Sequence, residues 1–258
     1  MTHRLLSFAL YLLSGCIGLV AFTYPFFLNA AQLQQFAGQQ QAAPLLTMIL
    51  ITMCLLILLL EMQGQAVSAK VVAALGVLVA VTAVLRFLEV AIPGPGGFSP
   101  IFAPIILAGF VFGPRFGFLM GALTLLVSAL LTGGVGPWLP YQMFAAGWVG
   151  LTAGWLPQLR RPLPLLALFG FAWGLLFGLL MNLTFWPFAV GMAGAGWEPG
   201  LGVVDGMGRY LAFYAGTSLL WDLVRAGGNV ALLLILGMPA IHALARFRDR
   251  FQFVRDEV

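Results

Sequence analysis

The sequence predicts an all-α integral membrane protein with about eight transmembrane helices. Hydrophobic residues fill 62% of the 258 positions and charged residues only 8%. The mean hydropathy of +1.03 lies outside the range of soluble domains. The apolar runs reach roughly 20 residues, which is the length that a helix needs to cross the hydrocarbon core. Helices rather than barrel strands are therefore expected to span the membrane.

The apolar segments define the predicted helices in chain order. They lie at about residues 5–28, 43–61, 70–90, 99–113, 115–132, 138–157, 163–188 and 209–241. The first segment stays apolar through Phe27 and has no convincing cleavage site, so we interpret it as a retained helix rather than a signal peptide. A polar break near residue 65 predicts a two-helix N-terminal membrane extension, 1–65, and a six-helix core with a short basic tail, 66–258.

The positions of the basic residues predict the orientation, because lysine and arginine stay in cytoplasmic loops. With the N-terminus inside the cell, the loops and termini on the cytoplasmic side hold nine basic residues, and the outer loops keep only Arg209. Both termini are then cytoplasmic. The net charge of +4 follows from this topology, so it does not indicate nucleic-acid binding.

Several kinds of catalytic chemistry are excluded by the residues present. Lys70 is the only lysine and follows Ala69, so the chain has no phosphate-binding loop of the G-x-x-x-x-G-K-[ST] type. His3 and His242 are the only histidines, and no Cys/His cluster or H-E-x-x-H motif is present to bind a metal. A G-x-S-x-G motif is also absent. We therefore expect no intrinsic cofactor, and an enzyme would depend on carboxylates alone.

Small residues recur every four positions in three of the predicted spans. These stripes predict close helix packing, and they are Gly113, Gly117, Gly121; Ala146, Gly150, Gly154; and Gly170, Gly174, Gly178. A further stripe of Ala73, Gly76 and Ala80 begins at the cytoplasmic end of the third span. That stripe fits either an internal helix contact or the docking of an external partner.

Polar and aromatic residues concentrate toward the predicted outer ends of the spans. Such a layer suits an apolar pocket with a few fixed polar groups. The candidate substrate-binding residues are Arg86, Phe98, Trp138, Tyr141, Gln142, Asn182, Trp186, Tyr210 and Tyr214. Arg86 lies three residues before Glu89, so the two can form an interfacial salt bridge, or Arg86 can contact a ligand. The loop VAIPGPGGFSP, which carries Phe98, can act as a connector or as a lid.

Asp222 and Arg225 lie three residues apart within the last predicted span. We interpret them as a structural ion pair that fixes helix packing, since removing one partner would leave an uncompensated buried charge. A role in proton relay is the alternative.

Four segments carry a resemblance to a known family. ALGVLVAVTAVLRFLE, the stretch from FSPIFAPIILAGFVFGP through GGVGPWLPYQMFAAGWVGLTAGWLP, NLTFWPF and WDLVRAGGN resemble the substrate-binding S components of energy-coupling factor (ECF) transporters. The similarity covers roughly residues 71–246, and the two N-terminal spans fall outside it. The extension and GGVGPWLP look most like S components assigned to cobalamin uptake.

The resemblance implies a subunit without catalytic activity in the cell membrane of a prokaryote. It would bind a vitamin from outside, with cobalamin or a related corrinoid as the first choice. It would work with a transmembrane T component and two ATPase subunits, which use the ATP. The family usually contacts its T component through small residues on the first core helix, which here are Ala73, Gly76 and Ala80.

Other functions remain open at this stage. Another vitamin (thiamine, its pyrimidine, riboflavin or a queuosine precursor) is one alternative. A membrane enzyme that acts on a lipid through Glu89, Asp205 or Asp222 is a second, although these carboxylates lie at different predicted depths. A scaffold whose first two spans recruit a partner is a third.

Overall fold

The computed structural model describes residues 2–27, 69–91, 96–188 and 194–252, together with positions 48, 49 and 52. Within these residues the chain is helical and has no β-strand, so the predicted all-α class is confirmed. The second predicted span, at 43–61, lies almost entirely outside the described residues.

Eight α-helices are described. They are α1 Thr2–Thr23, α2 Ala69–Ala91, α3 Phe102–Phe112, α4 Pro114–Thr132, α5 Leu139–Ala153, α6 Leu163–Phe185, α7 Val203–Thr217 and α8 Leu219–Gln252. Short 3-10 turns follow α1 at Tyr24–Phe27 and α6 at Trp186–Phe188. Among the described residues, four stretches are long and apolar enough to cross a membrane: Lys70–Ala91, Pro114–Thr132, Leu163–Phe188 and Leu219–Asp249.

The helix α3 lies at the centre of the bundle. It contacts α4, α5, α6 and α8, and nine of its 11 residues are buried. At 1.5 Å per residue it is only about 16 Å long, roughly half the thickness of the hydrocarbon core. The bundle interior beyond Phe102 is therefore left to loops and to side chains from the neighbouring helices. The charge pattern predicts that this end of the bundle faces outside, and we call it the outer end.

The sharp turn between α3 and α4 depends on the pair Gly113–Pro114. Gly113 has a φ of 94°, a region that glycine enters without a steric penalty. Pro114 then begins α4, where its missing N–H costs no helical hydrogen bond. The two helices consequently follow each other with a single residue between them.

The small-residue stripes pack helix against helix. A Cβ atom on Gly117 would overlap the carbonyl oxygen of Gly150, and a Cβ atom on Gly150 would overlap the carbonyl oxygen of Gly117. Gly174 lies equally close to the backbone of Ala226. Missing side chains thus let α4 approach α5 and let α6 approach α8, as small residues do in membrane helices.

The last predicted span, 209–241, was wrong as a single helix. It is divided at Ser218, the residue between α7 and α8, which has φ −135° and ψ −21°. Gly216, Thr217 and Ser218 are weak helix formers, and the Thr217 hydroxyl donates to the carbonyl oxygen of Phe213. The core therefore has seven described helices rather than six, and Tyr210 and Tyr214 lie on a different helix from Asp222.

Candidate functional site

A cluster of charged side chains lies near the outer end, above the start of α3. Arg86 and Glu89 come from α2, and Asp222 and Arg225 come from α8. Arg225 lies within electrostatic range of both Arg86 and Glu89. Two positive and two negative side chains therefore share one region, and their formal charges cancel. We call these four residues the charged cluster.

Asp222 and Arg225 form an ion pair across one helical turn. Arg225 also donates to the carbonyl oxygen of Gly174 at 3.3 Å. Its guanidinium lies 5.4 Å from the ring centroid of Phe177 and 6.0 Å from that of Phe102. These contacts hold the charge beside aromatic faces, which attract a cation.

Glu89 is held by the loop rather than by Arg86. The Ser99 hydroxyl donates to Oε2 of Glu89 at 2.7 Å. Among the described residues the salt bridges within 4.0 Å are Arg209–Glu198, Arg225–Asp222 and Arg248–Asp249. The sequence allowed a salt bridge between Arg86 and Glu89, and the structure does not contain it because the carboxylate is directed to Ser99.

Three buried polar atoms around this region make no hydrogen bond of ordinary geometry. They are Nδ2 of Asn182, the hydroxyl of Tyr214 and Oδ2 of Asp222. The Tyr214 hydroxyl nevertheless faces the Asp222 carboxylate and interacts with it. Gly178 lies against the Asp222 carboxylate, and Asn182 is one turn from Gly178 on the same face of α6. Since buried polar groups are normally hydrogen-bonded, this poorly satisfied group of side chains from three helices indicates a place where a ligand can bond.

The loop that carries Phe98 lies against α8. Gly97 has a φ of 87°, and a Cβ atom there would overlap the backbone of Trp221. The Phe98 ring lies against Gly228. Ser99 is buried. The described part of this loop, residues 96–101, thus covers the charged cluster from one side.

The other aromatic candidates lie in different places. Trp138 is half exposed and donates to the carbonyl oxygen of Gly134 within its own turn at 3.2 Å. Tyr141 packs edge-on against Phe22 of α1, with ring centroids 5.3 Å apart. Gln142 is half-buried one residue further along α5. Of these three residues, Tyr141 therefore belongs to the α1–α5 contact, and the other two lie within one turn of it in the chain.

Trp186 and Tyr210 form a second group. Their ring centroids are 5.1 Å apart, and the Tyr210 hydroxyl donates to the carbonyl oxygen of Leu179. Trp186 is buried and donates to the carbonyl oxygen of Ala195 at 2.7 Å. The predicted outer layer is therefore divided into the charged cluster with Asn182 and Tyr214, an aromatic group, and the residues beside α1.

Sequence reasoning missed three residues of these groups. Ser99 lies in a loop of glycine and proline, where a serine is ordinary, and only the fold shows that its hydroxyl donates to Glu89. Trp197 and Phe26 both contact Trp186, at centroid distances of 5.4 and 6.0 Å. Aromatic residues are common near the outer ends of membrane spans, so nothing in the sequence distinguished these two from the rest of that belt.

The small residues Ala73, Gly76 and Ala80 are exposed on α2. A Cβ atom on Gly76 would meet nothing within 4 Å. Beside this stripe, an apolar groove of about 510 Å³ lies between α2 and α8, and Ala73, Ala74, Val77, Ala243 and Leu244 are among its lining residues. Within the described residues the stripe is thus a free surface.

Metal binding has no support within the described residues, where no group of three His, Cys, Asp or Glu side chains lies together.

Comparisons with curated proteins and with solved structures gave no match. The model of the family "ECF transporter, substrate-specific component" matches residues 70–237, which is more than half of the chain and includes the charged cluster. The chain therefore belongs to the substrate-specific components of ECF transporters.

Proposed function

We propose that this protein captures a vitamin from outside the cell at the charged cluster and presents it to partner subunits for uptake. The observation that carries this proposal is the poorly satisfied group of buried polar atoms on Asn182, Tyr214 and Asp222. They combine an N–H donor, a hydroxyl and a carboxylate oxygen. A ligand that bonds all three carries both donors and acceptors.

The charge balance favours a neutral or zwitterionic ligand. The charged cluster has no net formal charge, and Arg225 already pairs with Asp222, so an anionic vitamin would gain little net attraction from it. Cobalamin carries many peripheral amide groups, which both donate and accept hydrogen bonds. Cobalamin or a related corrinoid is therefore our first choice, and thiamine, its pyrimidine, riboflavin and a queuosine precursor are the alternatives.

Transport rather than catalysis follows from the family, whose members are transporter components. The carboxylates proposed for an enzyme are engaged by protein groups: Glu89 accepts from Ser99 and Asp222 pairs with Arg225. Asp205 is exposed on α7, away from both. We find no observation that favours an enzyme acting on a lipid.

ATP-driven uptake requires partner subunits, since the only lysine of the chain is not in a phosphate-binding loop. A T component and two ATPase subunits would supply the energy. The exposed stripe of Ala73, Gly76 and Ala80 supports docking of the T component on α2, because small residues allow close approach of a partner helix.

The first test is a thermal-shift series on the purified full-length protein with cyanocobalamin, cobinamide, thiamine and riboflavin. A ligand that binds only the folded protein raises its midpoint in a dose-dependent way. Tyr214→Phe removes a hydroxyl that makes no internal hydrogen bond of ordinary geometry, so the midpoint without ligand should change little. Its affinity for the ligand should fall about fivefold, the effect of one hydrogen bond.

Tyr210→Phe is the matched control, because that hydroxyl already donates to the protein. It should lower the midpoint without ligand and leave the affinity close to that of the wild type. Equal affinities for Tyr214→Phe and the wild type would refute the proposed contact. A well-folded sample that responds to none of the compounds would refute the choice of these vitamins.

A further inference from the structure

The N-terminal helix α1 lies outside the family match yet packs against the core. Phe22 is 2% exposed. Its ring lies 5.3 Å from that of Tyr141 and 5.5 Å from that of Trp148, both on α5. Gly18 lies against the Trp148 and Phe144 rings, where a Cβ atom would crowd them. The helix is therefore fixed against α5 at a defined height.

The 3-10 turn Tyr24–Phe27 continues α1 to the outer end. There the Phe26 ring lies 5.1 Å from that of Trp197 and 6.0 Å from that of Trp186. Trp186 in turn contacts Trp197 at 5.4 Å and Tyr210 at 5.1 Å. We call Phe26, Trp186, Trp197 and Tyr210 the outer aromatic cluster.

This cluster lies next to the poorly satisfied polar atoms. Tyr210 is one turn before Tyr214 on α7, and Trp186 is one turn after Asn182 along α6 and the 3-10 turn that continues it. Phe26 contacts Trp186 and Trp197 from the side of α1. A change at Phe26 can therefore reach the candidate site through the Trp186 ring, which contacts Tyr210. Trp186 and Tyr210 each lie one turn from a residue of the site.

The segment that carries Trp197 has few other attachments in the described part of the chain. Trp186 donates to the carbonyl oxygen of Ala195. Arg209 donates to the carbonyl oxygen of Gly196 at 3.4 Å and pairs with Glu198 at 3.0 Å. The ion pair is exposed and of the kind that contributes little to stability. The indole N–H of Trp197 has no hydrogen-bond partner. Ring packing by Phe26 and Trp186 is thus a main constraint on the position of Trp197.

We propose that Phe26 is a positioning residue for the substrate site, and that through it the N-terminal extension determines how long the ligand is retained. Phe26 packs on Trp197 and Trp186, and Trp186 lies one helical turn beyond Asn182 toward the outer end. The inference rests on the proposed function for the ligand, but the positioning of the tryptophan rings can be measured without one.

The test compares Phe26→Ala with Phe27→Ala in the full-length protein. Phe27 is the neighbouring residue, undergoes the same truncation and is 84% exposed. Release of cyanocobalamin, thiamine or riboflavin, whichever binds the wild type, is followed after rapid dilution at a temperature well below the unfolding midpoint. We expect Phe26→Ala to release the ligand roughly three to ten times faster, which corresponds to the free energy of about one aromatic contact, and Phe27→Ala to match the wild type.

Acrylamide quenching of tryptophan fluorescence is the readout that needs no ligand. Phe26→Ala should steepen the quenching slope, Phe27→Ala should not, and Phe26→Tyr should restore both the slope and the release rate. Ligand release from Phe26→Ala at the wild-type rate would overturn the inference. If the wild type binds none of the three vitamins, the proposed ligands are refuted, and quenching decides: a steeper slope supports the positioning role and an unchanged slope overturns it.

Discussion

Gly178 of α6 and Asp222 of α8 lie so close together that a Cβ atom on residue 178 would overlap the Asp222 carboxylate. The carboxylate pairs with Arg225, which also donates to the carbonyl oxygen of Gly174, one turn from Gly178. One face of α6 therefore serves both helix packing and the charged cluster. A substitution in the glycine stripe is expected to disturb the candidate site as well as the fold.

Gly178→Ala should destabilise the protein by about 1–3 kcal/mol, the usual cost of an added methyl group in a packed interior. The methyl group must displace a carboxylate that Arg225 holds, so ligand affinity should fall too. Thermal unfolding in detergent and the vitamin titration measure the two effects. Gly227→Ala is the control, since its Cβ atom would meet nothing within 4 Å. A variant at residue 178 as stable as that control would contradict the packing described for this pair.

Asp222→Ala should be more severe than either glycine substitution. Asp222 is buried, and its loss would leave Arg225 uncompensated inside the bundle. Removing one partner of a buried pair costs about 3–5 kcal/mol. The double variant Asp222→Leu with Arg225→Met removes both charges, so it should recover a large part of that loss. Unfolding midpoints of the single and double variants form the test, and a double variant less stable than Asp222→Ala would show that the pair is not a structural unit.

Gly117→Ala and Gly150→Ala should each lower the unfolding midpoint, because each Cβ atom would meet the backbone carbonyl of the other helix. Backbone cannot rotate away as a side chain can, so α4 and α5 must separate. We expect a loss of about 1–3 kcal/mol for either change. Gly208→Ala, where a Cβ atom would meet nothing within 4 Å, is the control in the same thermal assay. Midpoints equal to that of the control would contradict the close α4–α5 contact.

The sequence was sufficient for the helices that a periodic or apolar signal specifies. The bounds of α2, α4 and α6 agree closely with the predicted spans, because long apolar runs with glycine, proline and polar ends leave few alternatives. The stripes of small residues likewise predicted close packing, which the contacts of Gly117 with Gly150 and of Gly174 with Ala226 confirm. Gly113 is the exception, because it forms the turn before α4 and a Cβ atom there would meet nothing within 4 Å.

The arrangement of the site could not be predicted in the same way. The break at Ser218 replaces a straight helix with two, which changes the direction of Tyr210 and Tyr214 relative to Asp222. Ser99 reaches Glu89 only through the fold of a loop, ten positions away in the chain. Phe22 covers Tyr141 because α1 packs on α5, a contact that no periodicity encodes. The topology predicts which side chains lie at the same depth in the membrane. Which of them touch depends on how each helix is rotated about its axis, and the sequence does not specify that rotation.

The stripe on α2 gives a prediction about assembly. Gly76→Phe should fold normally and bind ligand normally, because Gly76 is exposed and its Cβ atom would meet nothing within 4 Å. It should nevertheless fail to co-purify with the T component and the ATPases, since a phenyl group prevents close helix approach. Val81→Phe is the control: Val81 is also exposed, and five residues at 100° each place it about 140° around the helix from Gly76. Co-expression with tagged T component and ATPase subunits, followed by pull-down, measures the complex. If Gly76→Phe assembles as well as Val81→Phe, the T component docks elsewhere, and the groove between α2 and α8 has another role.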